Sequence, residues 1–550
     1  MIILARHWPL IAVLAVLLAV VAALCGVSLS QNGGQLVYAL DDAYIHMAMA
    51  RSLVEHGVWG VTRHEFSSSS SSLLWTLLLA GAYGLFGPSE IAPLVLNCMA
   101  AAGVIGLFYW ILRRRIPDRP VAVGAILLVV LFITPLAPLV FAGMEHTLHV
   151  LISVAFLYAA AVMLTRDTQP AAQPKDDWAG RLVLLLAPLV TMIRYEGMFL
   201  VATVCLLMAM RRRLVQAVLV GSLAALPIAI YGLISVGHGW YFFPNSIILK
   251  GQTSDLLSVA GAARFLLSGP EDTTLKIPRV LCAAGLGAVV YLFRLNRGKG
   301  TWRLHSVMIL LFAATALLHI QFAKVGWFYR YEAYLVAMFI LVVSLSAIED
   351  LANRRVELGW DLARRHKVVS VVVCLGTLVV LGRAASALKQ TPEAMNDRYL
   401  EHVLVAQFVR DHYNDSVIVV NDIGAVAWYT DARMLDMFGL ASREPVAFRR
   451  RPGGYTAQDV RDWAAGHGAR IAILQVMWAE VAPRIPKEWI EVGEWHLPRN
   501  VVFGDTRIGF FAVDPAARST LAADLSRFRA MVPPQVRQTG PYTRQLARSD

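Results

Sequence analysis

Two adjacent carboxylates, Asp41 and Asp42, open a mostly apolar segment that runs to Gly57. Asp at a helix start caps free amides and suits the positive end of the dipole, and Gly57 suits the stop. Capping by both is the simplest reading. One carboxylate suffices for a cap, however, which leaves the other to act as a general base or to help bind a metal. Glu145 follows Gly143 and Met144, with His146 and His149 after it, and Arg194-Tyr195-Glu196-Gly197 interrupts an apolar run. Ionisable residues at such positions are expensive and face a cavity or a partner, although Arg194 and Glu196 could simply neutralise each other. Lys250 ends an aromatic stretch, Trp240 to Lys250, that contains Pro244 and Asn245. Lys324 and Arg330 stand among aromatics beside Tyr331. Aromatics alone serve as interfacial anchors, whereas the three cations want an anion, for which a lipid phosphate or pyrophosphate headgroup is suited. Six serines, Ser67 to Ser72, precede Leu73-Leu74-Trp75. Such a tract reads as a linker or as hydroxyls lining a polar cavity.

The elements that position these groups follow from composition. Of 550 residues, 57% are hydrophobic and 16% charged, against roughly 45–50% and about 25% in soluble chains. A soluble globular protein is thereby excluded, and a mean hydropathy of +0.56 with 10% aromatics excludes disorder. A net charge of +12 would suit nucleic acid, but Lys and Arg fall in clusters beside apolar runs, as topology signals do. Cys25, Cys98, Cys205, Cys282 and Cys374 all lie in apolar segments without CxxC spacing, which argues against a disulfide framework or a zinc site.

Apolar runs predict about eleven spans, near 8–30, 91–112, 121–140, 146–165, 181–193, 198–210, 213–236, 278–295, 303–322, 333–349 and 367–383. Four basic clusters, at 113–119, 211–213, 294–303 and 354–367, are assigned to the cytoplasm by the positive-inside rule. The N-terminus is then cytoplasmic and the C-terminus outside, provided that Leu73 to Phe86 enters and leaves on one side as a re-entrant or interfacial helix. This scheme gathers loop 31–72, the turns at Glu145 and Arg194, and the segments 237–277 and 323–332 on the outer face. Beyond residue 384 charges spread evenly. Val417 to Val420 and Ile471 to Val476 read as buried strands around the helical pattern Tyr455 to His467. The expectation is a transmembrane domain over 1–384 and an α/β domain over 385–550, with a loose tail from about 530.

In this order the motifs resemble those of GT-C-fold integral-membrane glycosyltransferases, most like the mycobacterial cell-wall arabinofuranosyltransferases and their Gram-negative relatives. The likeness rests on Asp41-Asp42-Ala43, Ser72-Leu73-Leu74-Trp75-Thr76, Gly143-Met144-Glu145, Arg194-Tyr195-Glu196-Gly197, Pro244-Asn245 with Lys250, and Arg330-Tyr331. It continues into Asp422-Ile423-Gly424-Ala425 with Asp436, Gly439 and Leu440. Tyr195 and the serine run depart from the family pattern. The resemblance implies an inverting transfer of a sugar, arabinofuranose among the candidates, from a polyprenyl-phosphate donor. The acceptor would be an envelope glycan, lipid or protein at the outer face of a bacterial inner membrane. It further implies Asp41 or Asp42 as the catalytic base, and Arg194, Lys250, Lys324 and Arg330 as phosphate ligands. Tyr44, His46, Trp75, Glu145, Glu196, Asn245 and Tyr331 would form the substrate cavity. No cofactor is assigned, a divalent cation is admitted, and nucleic acid is not expected as a partner. The alternatives are a transporter or flippase of lipid-linked solutes, which would favour two related halves, and a non-enzymatic assembly protein.

Overall fold

The computed structural model describes residues 2–166, 177–250, 287, 303–324, 326–353, 367–498, 500–502 and 505–544. Among them, five helices are long and apolar enough to cross a bilayer: His7–Gln31, Ile91–Arg115, His146–Thr165, Leu214–Gly237 and Leu304–Phe322. At 1.5 Å per residue each approaches or exceeds a hydrocarbon core of about 30 Å. Shorter apolar helices, Leu73–Phe86, Pro120–Ile133, Trp178–Ile193, Gly197–Met210 and Ala333–Glu349, complete a multi-pass bundle. The expected span 121–140 is broken. Helix Pro120–Ile133 stops at Thr134, and Leu136–Phe141 restarts after Pro135, whose ring and missing N–H oppose an unbroken helix. The expected span 278–295, Cys282 and most of the two later basic clusters lie outside the described residues. Cys25, Cys98 and Cys205 are free thiols.

Helix Lys367–Arg398 passes the expected domain boundary. It continues through one π-helical turn, Tyr399–Val403, into helix Leu404–Tyr413. The second domain therefore hangs on a continuous helix rather than a linker. A π turn offsets the side chains that follow it and recurs at functional sites. Here it places Glu401 and His402 in the buried seam between the domains.

The C-terminal domain holds six strands: β1 (Val417–Val420), β2 (Arg433–Asp436), β3 (Ile471–Gln475), β4 (Ile490–His496), β5 (Arg507–Ala512) and β6 (Arg537–Thr539). Their order is β2-β1-β3-β5-β4-β6. β1 runs parallel to β2 and β3, while the pairings beyond β3 are antiparallel. All five residues of β3 are buried, as its unbroken apolar run requires of a central strand. Helix Ala457–Gly466 begins with a reciprocal capping box between Thr456 and Asp459, which satisfies two orphan donors at once. The tail expected to be loose from 530 is ordered to residue 544. Arg537 pairs with His496, and Tyr542 is fully buried. A three-residue edge strand needs little apolar sequence, so composition alone misread it.

Helix Lys367–Arg398 is tied to the loop before Ala333 by Arg383, whose Nη2 lies 2.5 Å from Glu332 Oε1, with both side chains 2% exposed. Removing one partner of such a pair leaves a buried charge uncompensated, at about 3–5 kcal/mol. Arg383→Met is thus expected to lower the melting temperature of the detergent-solubilised chain sharply, and the double variant Arg383→Met with Glu332→Gln to recover most of the loss. Differential scanning fluorimetry checks this, and equal melting of single and double variants would refute it.

Candidate active site

Asp41 and Asp42 occupy the first turn of helix Asp41–His56. The N-cap position is Leu40, so neither carboxylate caps its own helix. Successive helical residues point about 100° apart, and the two acids face different surroundings.

Asp41 faces the C-terminal domain and is 6% exposed. Its Oδ2 accepts from the Gly424 amide at 2.6 Å and its Oδ1 from the Ala425 amide at 2.8 Å. It therefore caps helix Gly424–Tyr429, whose own N-cap residue, Ile423, supplies no side-chain acceptor. Ten residues along, Arg51 donates to the carbonyls of Trp428, Ala427 and Thr430 at 2.9, 3.2 and 3.2 Å. An acid at the positive end of the short helix and a cation at its negative end both favour docking. Residue 424 must be glycine, because a Cβ there would lie 2.2 Å from the Asp41 carbonyl oxygen and 2.6 Å from its Oδ2.

Behind Asp41, His402 Nδ1 faces Arg398 Nη1 at 3.2 Å, and Nε2 faces Asp422 Oδ2 at 2.9 Å. A guanidinium can only donate, so Nδ1 accepts, while Nε2 faces both Asp422 Oδ2 and, at 3.0 Å, the Gln475 amide nitrogen. Glu401 is held by Arg398 at 2.6 Å, by Gln475 at 2.5 Å and by Asn500 at 2.8 Å. Burial, then the neighbouring Asp422, pushes the Asp41 carboxyl up to about 8, with His402 opposing. Burial also holds His402 below the ordinary imidazole range. Asp41, His402 and Asp422 bring three ligand atoms within 4.8 Å of one another. Both Asp41 oxygens are engaged by helix amides, His402 is bonded on both nitrogens, and a guanidinium stands alongside. The donor set fits a hydrogen-bonded latch between domains rather than a cation site.

Asp42, 23% exposed, meets Arg330 Nη2 through its Oδ2 at 2.7 Å. The Arg330 guanidinium lies 4.9 Å from the Tyr331 ring centroid, and that of Arg194 lies 5.4 Å from it. Arg194 donates to Glu145 Oε1 at 2.6 Å and to the two oxygens of Glu196 at 2.7 and 3.0 Å. It is thus doubly compensated. Glu145 Oε2 is buried without a hydrogen-bond partner among the described residues and lies 3.7 Å from His46 Nε2. Arg330, with a single carboxylate and a buried Nε lacking a partner among the described residues, is the better-placed anion ligand of the two. The loop that delivers it passes through Trp327, Phe328 and Tyr329 at φ of 49°, 59° and 61°, a left-handed run costing about 1–2 kcal/mol per residue. Glu332 accepting from the Gly326 amide at 2.9 Å and Tyr329 donating to Gln390 at 2.7 Å hold it in place. Lys324 is half-buried earlier in this loop. Lys250 ends helix Asn245–Lys250, and its side chain lies outside the described residues.

A small cavity of about 10 Å³, room for about one water, opens beside Asp42, walled by Ile45, His46, Ser69, Ser71, Ser246 and Leu440. The serine tract is no linker. Ser67 accepts from the Val61 amide, Ser68 bonds Tyr231, Ser69 donates to the Leu440 carbonyl, Ser70 to that of Ser72, and Ser72 caps helix Leu73–Phe86. Of the six, Ser71 alone is partly exposed. Asn245 donates to the carbonyls of Gly439 and Ser442 at 2.7 and 3.3 Å. The fully buried Asp436 gathers the Phe438 and Ala441 amides of the same loop. Together they fix Leu440 as a lip over the cavity. Tyr44 and Trp75, expected in the cavity, are packed away from it: Tyr44 lies between Tyr38 and Tyr429, and Trp75 in the core. Sequence reasoning missed Ile45 and Ser246 and could not say which serine of the tract faces the cavity. The departure of that tract from the family pattern was the available signal.

Residues 393–513 match a family model described as a domain of unknown function (DUF8728). No curated protein matches the sequence. Among solved structures, ArnT from Cupriavidus metallidurans bound to undecaprenyl phosphate is similar over 91% of this chain and 98% of its own, at 13% identity and a TM-score of 0.54. The same protein in the apo state gives 13% identity, the same coverage and a TM-score of 0.51. The Archaeoglobus fulgidus oligosaccharyltransferase in complex with Zn and sulfate is 10% identical, with 88% of this chain and 73% of that one covered and a TM-score of 0.46. The chain has the GT-C fold with a C-terminal α/β domain.

Two outcomes follow from the docking contact. Gly424→Ala is expected to undock the short helix, seen as new protease cleavage near residues 421–432. Above about pH 7, His402, with its lowered pKa, is mostly neutral in folded and unfolded chains alike. Asp41, with its raised pKa, stays protonated only when folded, so stability falls as pH rises from there to about 8. Melting curves from pH 6.5 to 8.5 should fall less steeply in Asp41→Asn than in the wild type, and parallel curves would refute the assignment.

Proposed function

We propose that the protein is an inverting glycosyltransferase that moves a sugar from a polyprenyl-phosphate donor to a cell-envelope acceptor at the outer face of a bacterial inner membrane. The observation that carries this reading is Asp42, a partly exposed carboxylate at the edge of a hydroxyl-lined cavity, held 2.7 Å from a buried arginine. The fold similarity to ArnT, whose structure holds undecaprenyl phosphate, supports a polyprenyl phosphate as the carrier. A pentose such as arabinofuranose is favoured by the motif resemblance alone.

In this mechanism the acceptor hydroxyl gives its proton to Asp42, and its oxygen forms a bond to the anomeric carbon on the face opposite the phosphate. The bond from that carbon to the phosphate oxygen breaks, and polyprenyl phosphate leaves with the electron pair. Arg330 is the group that stabilises the developing phosphate charge, the electrostatic contribution that usually dominates such sites. It is paired with Asp42 beforehand, so an arriving phosphate competes for the guanidinium and releases the carboxylate to act as base. Arg194, compensated by Glu145 and Glu196, orders the cavity floor and supplies little net positive charge. Lys324 and Lys250 remain candidates for the lipid-phosphate path. Asp41 serves as the docking residue rather than the base.

The test uses the full chain in lipid nanodiscs, synthetic polyprenyl-phosphate pentoses and hexoses, and an envelope extract from a deletion strain as acceptor. Released polyprenyl phosphate is the readout. Asp42→Asn should lower turnover by about 10²–10⁴-fold while the variant still folds and inserts, and Arg330→Gln should raise the donor KM. Retained turnover in Asp42→Asn would overturn the assignment. Translocation of a lipid-linked sugar in proteoliposomes without a new glycosidic bond would favour a flippase.

A further inference from the structure

We infer that the arginine-rich segment Arg443 to Arg451 is a docking surface for anionic phospholipid headgroups, with Arg450 as the phosphate ligand. This surface does not depend on the transfer reaction. Its nine residues hold four arginines and one glutamate. Two contacts set it against the end of the spanning helix Leu214–Gly237. Arg443 Nη1 donates to the Gly239 carbonyl at 3.4 Å, and the Arg450 guanidinium stands 4.2 Å from the centroid of the Tyr241 ring. The turn that carries these partners is firm: the Trp240 amide donates to the Ser235 carbonyl at 2.9 Å, and Ser235 Oγ to the Tyr241 carbonyl at 2.6 Å. Leu233, Ile234 and Val236 are exposed on the helix, and Phe242 and Phe243, 39% and 42% exposed, follow the turn. Apolar side chains exposed on a spanning helix face lipid, and aromatics at its end mark the headgroup level. Arg443 and Arg450 are therefore held at headgroup depth.

Two of the four arginines are committed within the domain. Arg449 donates to the Phe438 carbonyl at 2.6 Å and meets Glu480 at 3.4 Å, and Arg451 pairs with Asp459. Arg443 meets Glu444 only at 3.7 Å, in a pair open to solvent. Arg450 is exposed and has no carboxylate partner among the described residues. Stacking on Tyr241 covers one face of its guanidinium and leaves the in-plane N–H groups, which match two phosphate oxygens at once. The ring also steadies the side chain before an anion arrives, so less rotamer freedom is lost on binding. The opposite end of the same helix follows Arg211, Arg212 and Arg213, and a charge bias of that kind leaves the far end poor in cations. The soluble domain supplies them there instead, since a long domain is exempt from the bias. A phospholipid meets both parts of the surface together, its phosphate the guanidinium and its glycerol and chains the exposed rings. Preference for an anionic over a zwitterionic headgroup is worth about fivefold for each arginine near the bilayer.

The test places the full chain in phosphatidylcholine nanodiscs that carry a trace of either phosphatidylglycerol or phosphatidylcholine with a photoactivatable headgroup. Cross-linked peptides are mapped by mass spectrometry. The phosphatidylglycerol probe should label peptides covering 238–243 and 443–451 about fivefold more than the phosphatidylcholine probe, and less so at raised salt. Arg450→Ala should lower that labelling about fivefold, and the double variant with Arg443→Ala should lower it further, while labelling beside Arg211 to Arg213 is unchanged. Arg450→Lys, which keeps the charge but not the planar fork, should fall between the wild type and Arg450→Ala. Competition in the wild-type chain gives a readout free of any folding defect: unlabelled phosphatidylglycerol should suppress the labelling, and unlabelled phosphatidylcholine should not. Equal labelling by the two probes, or labelling unchanged in the double variant, would overturn the inference. So would displacement of the label by polyprenyl phosphate but not by phosphatidylglycerol, which would give the patch to the donor instead.

Discussion

The bond from Asp41 to the Gly424 and Ala425 amides is the contact on which the rest of the architecture depends. It joins the first turn of a helix on the membrane domain to the first turn of a helix in the soluble domain. With Arg51 holding the far end of that helix, it fixes both the position and the direction of docking. The loop after β2 then has one place to go. Asp436 gathers its amides and Asn245 takes its carbonyls, which sets Leu440 over the cavity. A cavity wall drawn from two domains is only as well defined as the contact that aligns them. That alignment rests on side-chain hydrogen bonds at each end of a six-residue helix, a helix too short to be stable by propensity.

The same division of labour explains why two adjacent acids are needed. A carboxylate buried against a helix N-terminus with both oxygens bonded is a poor base, because its lone pairs are already engaged. Its neighbour, turned by one helical step, keeps partial solvent access beside Arg330. Electrostatically the inner cluster is balanced: Arg330 with Asp42, Arg194 with Glu145 and Glu196, and Arg383 with Glu332. Balance of this kind is required at low dielectric, where an unpaired charge would be prohibitive.

Composition and periodicity made the membrane domain, the paired short helices around Arg194 and the α/β appendage legible, because each follows from apolar length or strand-sized runs. The helix within Tyr455 to His467 and the mutual neutralisation of Arg194 and Glu196 were legible too, since both are set by local spacing. What was not legible depends on partners far away in sequence. That Asp41 caps a helix 383 residues distant, that the domain boundary is a continuous helix, and that Ser69 and Ser71 line the cavity are all decided by docking. The edge strand at 537–539 escaped notice because edge pairing is a backbone property that polar residues supply as well as apolar ones.

The strained loop and the π turn then have a common logic. The strained loop lies just before Arg330 and the π turn contains Glu401 and His402, and neither local geometry would be chosen by the sequence in isolation. Each is held by buried ion pairs: Glu332 with Arg383 behind the loop, and Glu401 with Arg398 behind the π turn. Strain persists where surroundings over-determine it, so the pairs convert binding between distant segments into the orientation of single side chains. Arg330 is consequently rigid, while its partner Asp42 stands at an open edge. An anion that reaches Arg330 meets a guanidinium already in place and needs only to displace one carboxylate, and the displaced carboxylate is the one beside the hydroxyl-lined cavity. Phosphate capture and release of the base are thereby one event, enforced by the fixed position of the arginine rather than by any movement of the domains.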